Sequence, residues 1–205
     1  MTVLSRSQAA ALLESVDRDA ESGARDYALL TTLLHCVLRR SEAASMDIEH
    51  LRFVSGHWLL DLPSTKGGAG QYVKVPKPVY YAIQFAIERY PAVYGPVWRS
   101  FSNNSKGARL SDRSIYRIVS RYAAQSGISE TVGAHTLRHT GCTLAIEAGA
   151  SVQQVQTHAR HKNLETTMMY VHQRDKLADS AADYIGLDGM RGEDAEAANP
   201  GRDSG

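Results

Sequence analysis

Apolar residues recur at three- and four-residue spacing through most of the chain. Ala10, Leu12, Leu13 and Val16 follow two serines, Ser5 and Ser7, either of which can cap a helix, while Glu14, Asp17, Asp19 and Glu21 fall on the solvent side. The pattern predicts a first helix that ends near Gly23. Over 27–38 the residues Leu29, Leu30, Leu33, Leu34, Val37 and Leu38 keep helical spacing with few charges, which predicts a buried helix, and a short helical segment follows over 41–46. The period then changes to two. Between His50 and Leu62 the residues Leu51, Phe53, Trp58, Leu60 and Leu62 alternate around a Ser55-Gly56 turn, which predicts a β-hairpin. The Gly-rich stretch 66–70 leads into Tyr72, Val73, Val75 and Pro76, so a third short strand is expected. Helical spacing returns over 80–89, 112–127, 135–148 and 152–160, with Gly149 a stop signal. The fold class is therefore mainly α with a small three-stranded antiparallel sheet (α+β). Gly186 onward is rich in Gly, Ala, Asp and Glu and has no period, so 187–205 reads as a disordered acidic tail and 1–186 as one domain.

Composition narrows the class. A chain of 205 residues with 43% hydrophobic content can bury one sizeable core. No apolar run approaches the roughly 20 residues that span a bilayer, and the first residues lack a signal peptide's apolar stretch, so a cytoplasmic protein without a membrane partner is expected. Cys36 and Cys142 both sit in helix-like apolar patterns and suggest neither a disulfide framework nor a thiolate metal site. The net charge of +1 conceals a gradient. From Trp98 to Lys176 there are eleven Lys and Arg against five acids, a net of +6, with five histidines besides. From Leu187 to Gly205 there are five acids against Arg191 and Arg202, a net of −3. A basic middle and an acidic end suit a domain that binds a polyanion.

The most informative residues are His135-Thr136-Leu137-Arg138-His139, then His161, then Tyr170 nine positions later. This set resembles the catalytic signature of the tyrosine recombinase, or phage integrase, family. There a His-x-x-Arg pair opens one helix, a His or Trp follows on another, and a nucleophilic Tyr lies nine residues beyond it. Leu38-Arg39-Arg40-Ser41-Glu42 is similar to the family's Leu-Arg-x-Ser-Glu helix, which implies that Arg39 is the first catalytic arginine. Lys66, ahead of Val75-Pro76, resembles the family's mobile hairpin lysine, in a hairpin about two residues longer than usual. The likeness runs from Leu4 to Ile185.

Phosphodiester transfer needs charge stabilisation, a nucleophile and a proton for the leaving group, and these residue types supply each. Arg39 and Arg138 can grip non-bridging oxygens through planar guanidiniums and so replace a metal. Tyr170, with a phenol pKa of ~10, is the nucleophile, and His135 or His161 assists its deprotonation. Lys66 is suited to protonate the departing 5′ oxygen. No cofactor and no metal are expected. His135 and His139 stand four apart, as metal ligands on a helix can, but the Glu of His-Glu-x-x-His is missing and Arg138 sits between them. Each residue alone has a plainer reading: Tyr170 among Met168, Met169 and Val171 as core, Arg39 and Glu42 as a structural ion pair with Arg40 a rival, Lys66 as a solvated charge.

Two departures from the family pattern stand out. Arg160 replaces the usual Gly before His161; if that position needs a positive φ, a side chain there costs about 1 kcal/mol, unless Arg160 serves as an extra phosphate contact. The resemblance also starts almost at the first residue, so the usual N-terminal core-binding domain is expected to be absent, as in the small bacterial DNA invertases or a minimal integrase. The resemblance implies a site-specific recombinase acting by integration, excision or inversion on double-stranded DNA with inverted-repeat sites. It further implies a nucleoid-associated homotetramer on DNA, weakly associated when free, with a DNA-bending accessory protein as a further partner. A relaxing topoisomerase and a non-catalytic DNA-binding regulator are the competing readings.

Overall fold

Ser5 opens α1 (Arg6–Glu14) with a reciprocal cap: its hydroxyl accepts from the Gln8 N–H at 3.2 Å, and the Gln8 side chain accepts from the Ser5 N–H at 2.9 Å. The computed structural model describes residues 2–62, 70–90 and 92–161. The first helix stops at Glu14, well short of the expected end near Gly23. Gly23 lies instead in the first turn of α2 (Glu21–His35), where a Cβ would stand 1.7 Å from the Asp17 carbonyl oxygen. The glycine marks a close approach of two backbone segments, a use that looks identical to a helix stop in the sequence.

α2 is the central element, with Ala28, Leu29, Leu30 and Leu33 fully buried. It ends at His35, short of the expected Leu38, because Val37 adopts a left-handed backbone at φ 44°. α3 (Arg40–Ala44) follows at once. The sheet is as expected: β1 (Leu51–Val54), β2 (His57–Leu62) and β3 (Gln71–Val75) pair antiparallel in the order β1-β2-β3. Leu60 faces both Leu51 and Val73, and the two-residue alternation sends Leu60, Leu62, Val73 and Val75 into the core. Ser55 and Gly56, at φ 48° and 81°, make the tight turn.

α4 (Lys77–Arg89) packs along α2 and joins the same core as Trp98, Ile115 and Leu12. α5 (Asp112–Gln125) is capped by Ser111, and α6 (Ala134–Glu147) crosses α2 at Gly141, where a Cβ would lie 2.1 Å from the Leu34 carbonyl oxygen. A second, smaller cluster of Val37, Cys142, Ile146, Val155 and Ala159 fixes α7 (Val152–Ala159) against α6 and the segment after α2. The described segments around Arg39, His135, Arg138 and His161 are thus tied together by core packing. The expected boundary at 186 and the segment beyond it lie outside the described residues.

Candidate active site

Four of the six singled-out residues fall in described segments, and they converge. Arg39 precedes α3, His135 and Arg138 occupy the first turns of α6, and His161 directly follows α7 and its cap. Lys66, between β2 and β3, and Tyr170 lie outside the described residues.

Arg138 is almost fully buried, and its guanidinium donates to the carbonyls of Val37 and Ala159. One side chain therefore clamps the left-handed kink after α2 to the end of α7. This explains Val37: a β-branched residue at positive φ is costly, and the contacts of its carbonyl with Arg138 and, at 3.4 Å, with Arg160 hold it there. Burial, then the nearby Arg39 and Arg160, pushes the Arg138 pKa down to about 10. A cation so destabilised favours a neighbouring anion.

Arg39 is half-exposed, donates to Glu42 Oε1 at 2.7 Å, and reaches the Arg160 carbonyl from Nη2 at 3.3 Å. Arg40 turns elsewhere, to Asp112 at the start of α5. Geometry thus brings Arg39, and not its rival, to the cluster. Glu42 also accepts from the Arg39 N–H at 2.7 Å and from Arg160 Nη2 at 2.7 Å. Although its burial opposes ionisation, Arg160 and Arg39 hold its carboxyl below the usual range.

The backbone of Arg160 is left-handed, at φ 56° and ψ 43°, so the expectation that a glycine-type position holds an arginine is met. Its side chain is 5% exposed and its guanidinium is turned inward to Glu42, with a second bond from Nη1 to the His158 carbonyl at 2.7 Å. In this conformation it is a brace for Glu42 and is not presented outward as a phosphate contact. The sequence pointed to this residue through its departure from the family pattern; the bridging part of Glu42, and the strain at Val37, left no mark there.

Burial and nearby positive charge disfavour protonation of the histidines at the site. His135 is exposed at the N-terminal turn of α6, its pKa lowered by partial desolvation and by Arg138 and Arg39. Burial, followed by the surrounding arginines, pushes His161 down to about 4, and burial with His135 and Arg138 does the same for His139. The His135 and His139 rings meet edge to face at 4.1 Å between centroids. Among the described residues there is no group of His, Cys, Asp and Glu able to hold a metal ion, and no helix long and apolar enough to cross a membrane.

Summed over the cluster, three guanidiniums (Arg39, Arg138, Arg160) share one carboxylate (Glu42), an excess of +2 beside neutral imidazoles. Such a site can hold a phosphoryl group and take up a proton close to it.

Comparison with known proteins agrees. The phage integrase family model matches residues 2–176. The tyrosine recombinase XerC of Pelobacter propionicus is 32% identical over 165 residues, 80% of this chain and 53% of that protein. The tyrosine recombinase XerD of Staphylococcus epidermidis is 28% identical over 172 residues, 83% of this chain and 57% of that one. The chain spans about half the length of the curated relatives it matches. Among solved structures, XerA recombinase aligns with a TM-score of 0.70 at 24% identity, over 90% of this chain and 62% of that one. XerH site-specific recombinase, in a post-cleavage complex with palindromic difH substrate, aligns at 0.71 and 24%, over 89% and 52%. With a family match running through α1 to α7 and a shared recombinase fold, this chain belongs to the phage integrase family of tyrosine recombinases.

Proposed function

We propose that this chain is the catalytic portion of a site-specific DNA recombinase that cuts and rejoins strands through a 3′-phosphotyrosyl intermediate. The observation that carries the reading is the excess of two positive charges where Arg39, Arg138 and Arg160 converge beside His135 and His161. A scissile phosphate supplies the anion that this cluster lacks, and the charge that builds on its non-bridging oxygens in the transition state strengthens the same contacts.

The Tyr170 oxygen attacks phosphorus and the bond from phosphorus to the 5′ oxygen breaks. The phenol proton passes to His135 or His161, both neutral before the step, and Lys66 protonates the departing 5′ oxygen. The phosphotyrosyl bond conserves the phosphodiester until another 5′-hydroxyl attacks it and releases Tyr170. Neither a metal nor a nucleotide enters this scheme.

Integration, excision or inversion joins two duplexes and requires four such cleavages, so four copies assembled on paired inverted-repeat sites are the working form. A DNA-bending protein is an expected helper, and the nucleoid in the cytoplasm the place of action. The test is a nicked suicide substrate that traps the covalent adduct. Wild-type protein should form a protein–DNA band, and Tyr170→Phe should form none while binding DNA as before. Adduct formation by the Phe variant would remove Tyr170 from the scheme, and binding without any adduct from the wild type would favour a non-catalytic regulator.

A further inference from the structure

The strained end of α7 and the carboxylate of Glu42 belong to one closed circuit. Position 160 adopts the left-handed backbone that glycine occupies without strain, yet it carries an arginine whose side chain is 5% exposed. From Arg160 Nη2 the circuit passes to Glu42 Oε2 at 2.7 Å. Glu42 then holds Arg39 twice, by the N–H on Oε2 at 2.7 Å and by Nη1 on Oε1 at 2.7 Å. Arg39 Nη2 returns to the carbonyl of Arg160 at 3.3 Å. Further bonds from the Arg160 guanidinium, to the carbonyls of His158 at 2.7 Å and Val37 at 3.4 Å, fix its plane.

We propose that Arg160 is a positioning residue for strand cleavage: it anchors Glu42 so that Glu42 holds the Arg39 guanidinium in one orientation toward the scissile phosphate. The assignment rests on the strand-cleavage reading above and gives position 160 a task that a glycine cannot perform. Two effects follow from the same bonds. Glu42 is tethered from two directions, which removes the freedom of the half-exposed Arg39 side chain to swing away. Arg160 also offsets the negative charge of Glu42, which would otherwise cancel that of Arg39 and repel the phosphate. With a glycine at 160, Arg39 and Glu42 form a closed neutral pair, and Arg138 alone supplies the excess charge.

The experiment is a double-mutant cycle on single-turnover cleavage of the suicide substrate at saturating DNA, with DNA dissociation constants measured alongside. Arg160→Gly suits the left-handed backbone, so a folded protein is expected, and Arg160→Asn, which also tolerates that conformation, is the second variant. Both should cleave about tenfold or more slowly while affinity falls by a clearly smaller factor, since the lost charge is one of many phosphate contacts and the bonds act mainly on the orientation of the bound phosphate. Arg160→Lys should recover part of the rate, because its ammonium can still meet Glu42. In the Glu42→Gln background, Arg160→Gly should cost less than about twofold, the signature of two residues acting as one unit. Wild-type rates in the Gly and Asn variants, or single effects that simply multiply, would overturn the assignment. A wild-type chain that forms no adduct would overturn the strand-cleavage reading itself, and this assignment with it.

Discussion

At the scale of single residues, Arg138 carries two tasks that most active sites divide. Its terminal nitrogens hold the Val37 and Ala159 carbonyls, and its charge is the one least compensated in the cluster. Arg138→Ala should therefore reduce cleavage by about a hundredfold or more, as loss of a transition-state donor does, and also destabilise the fold by about 1–3 kcal/mol for buried carbonyls left without a donor. Arg138→Lys should restore only part of either, because one ammonium cannot serve two carbonyls and a phosphate in the geometry of a planar fork. Single-turnover rates and urea melts of the two variants check this. The histidines give a second, independent reading. Burial pushes His139 and His161 from 6.5 down to about 4, so the unfolded chain takes up protons first as pH falls. Stability should be full above the ordinary histidine pKa of about 6.5 and drain away as pH falls from there toward 4. Urea midpoints across that window should show the decline, and His139→Gln should flatten it. A decline of equal slope in that variant would mean that other groups carry the linkage.

At the scale of elements, the site depends on how closely α6 can approach α2. Gly141 lies one helical turn beyond Arg138, and an added methyl would stand 2.1 Å from the Leu34 carbonyl oxygen and 2.8 Å from Val37 Cγ1. Gly141→Ala should force the two helices apart and cost about 1–3 kcal/mol, as overpacking does, despite the higher helix propensity of Ala. Because α6 carries His135 and Arg138, cleavage should fall further than stability alone explains. Adduct yield measured well below the melting temperature separates the two effects. The elements also differ in how far neighbouring residues reveal them. The three strands, α4 to α7 and the cap at Ser5, one of the two serines offered for it, were legible, because two-residue and 3.6-residue periods and short-range hydrogen bonds are written into neighbouring positions. Gly23 misled, since its reason is a contact with Asp17 across a turn, and the end of α2 was misplaced because Val37 is held at positive φ by residues over a hundred positions away. The convergence of Arg39, His135, Arg138 and His161 was legible only through family spacing, and the bridging role of Glu42 only in three dimensions.

At the scale of the whole molecule, charge is arranged lengthwise. The sequence from Trp98 to Lys176 carries a net +6 and includes Arg138 and Arg160, whereas Leu187 to Gly205 carries a net −3. Five acids near the end of the chain add negative charge to a protein whose expected ligand is a polyanion, and so should lower its net attraction to DNA. Deleting residues 188–205 removes five acids, Arg191 and Arg202, and takes the chain from +1 to +4. Affinity for non-specific duplex should rise at low salt as a result. The gain should shrink as ionic strength increases, because at about 1 M salt the Debye length falls to roughly 3 Å and interaction between charges is screened. Adduct yield on a suicide substrate should stay within about twofold of the full chain, since no group assigned to the chemistry lies beyond Tyr170. Titrations of both forms at several salt concentrations decide the matter: parallel salt lines with a constant offset would show that the segment acts through contacts rather than charge. A fall in low-salt affinity would show that it helps to hold DNA.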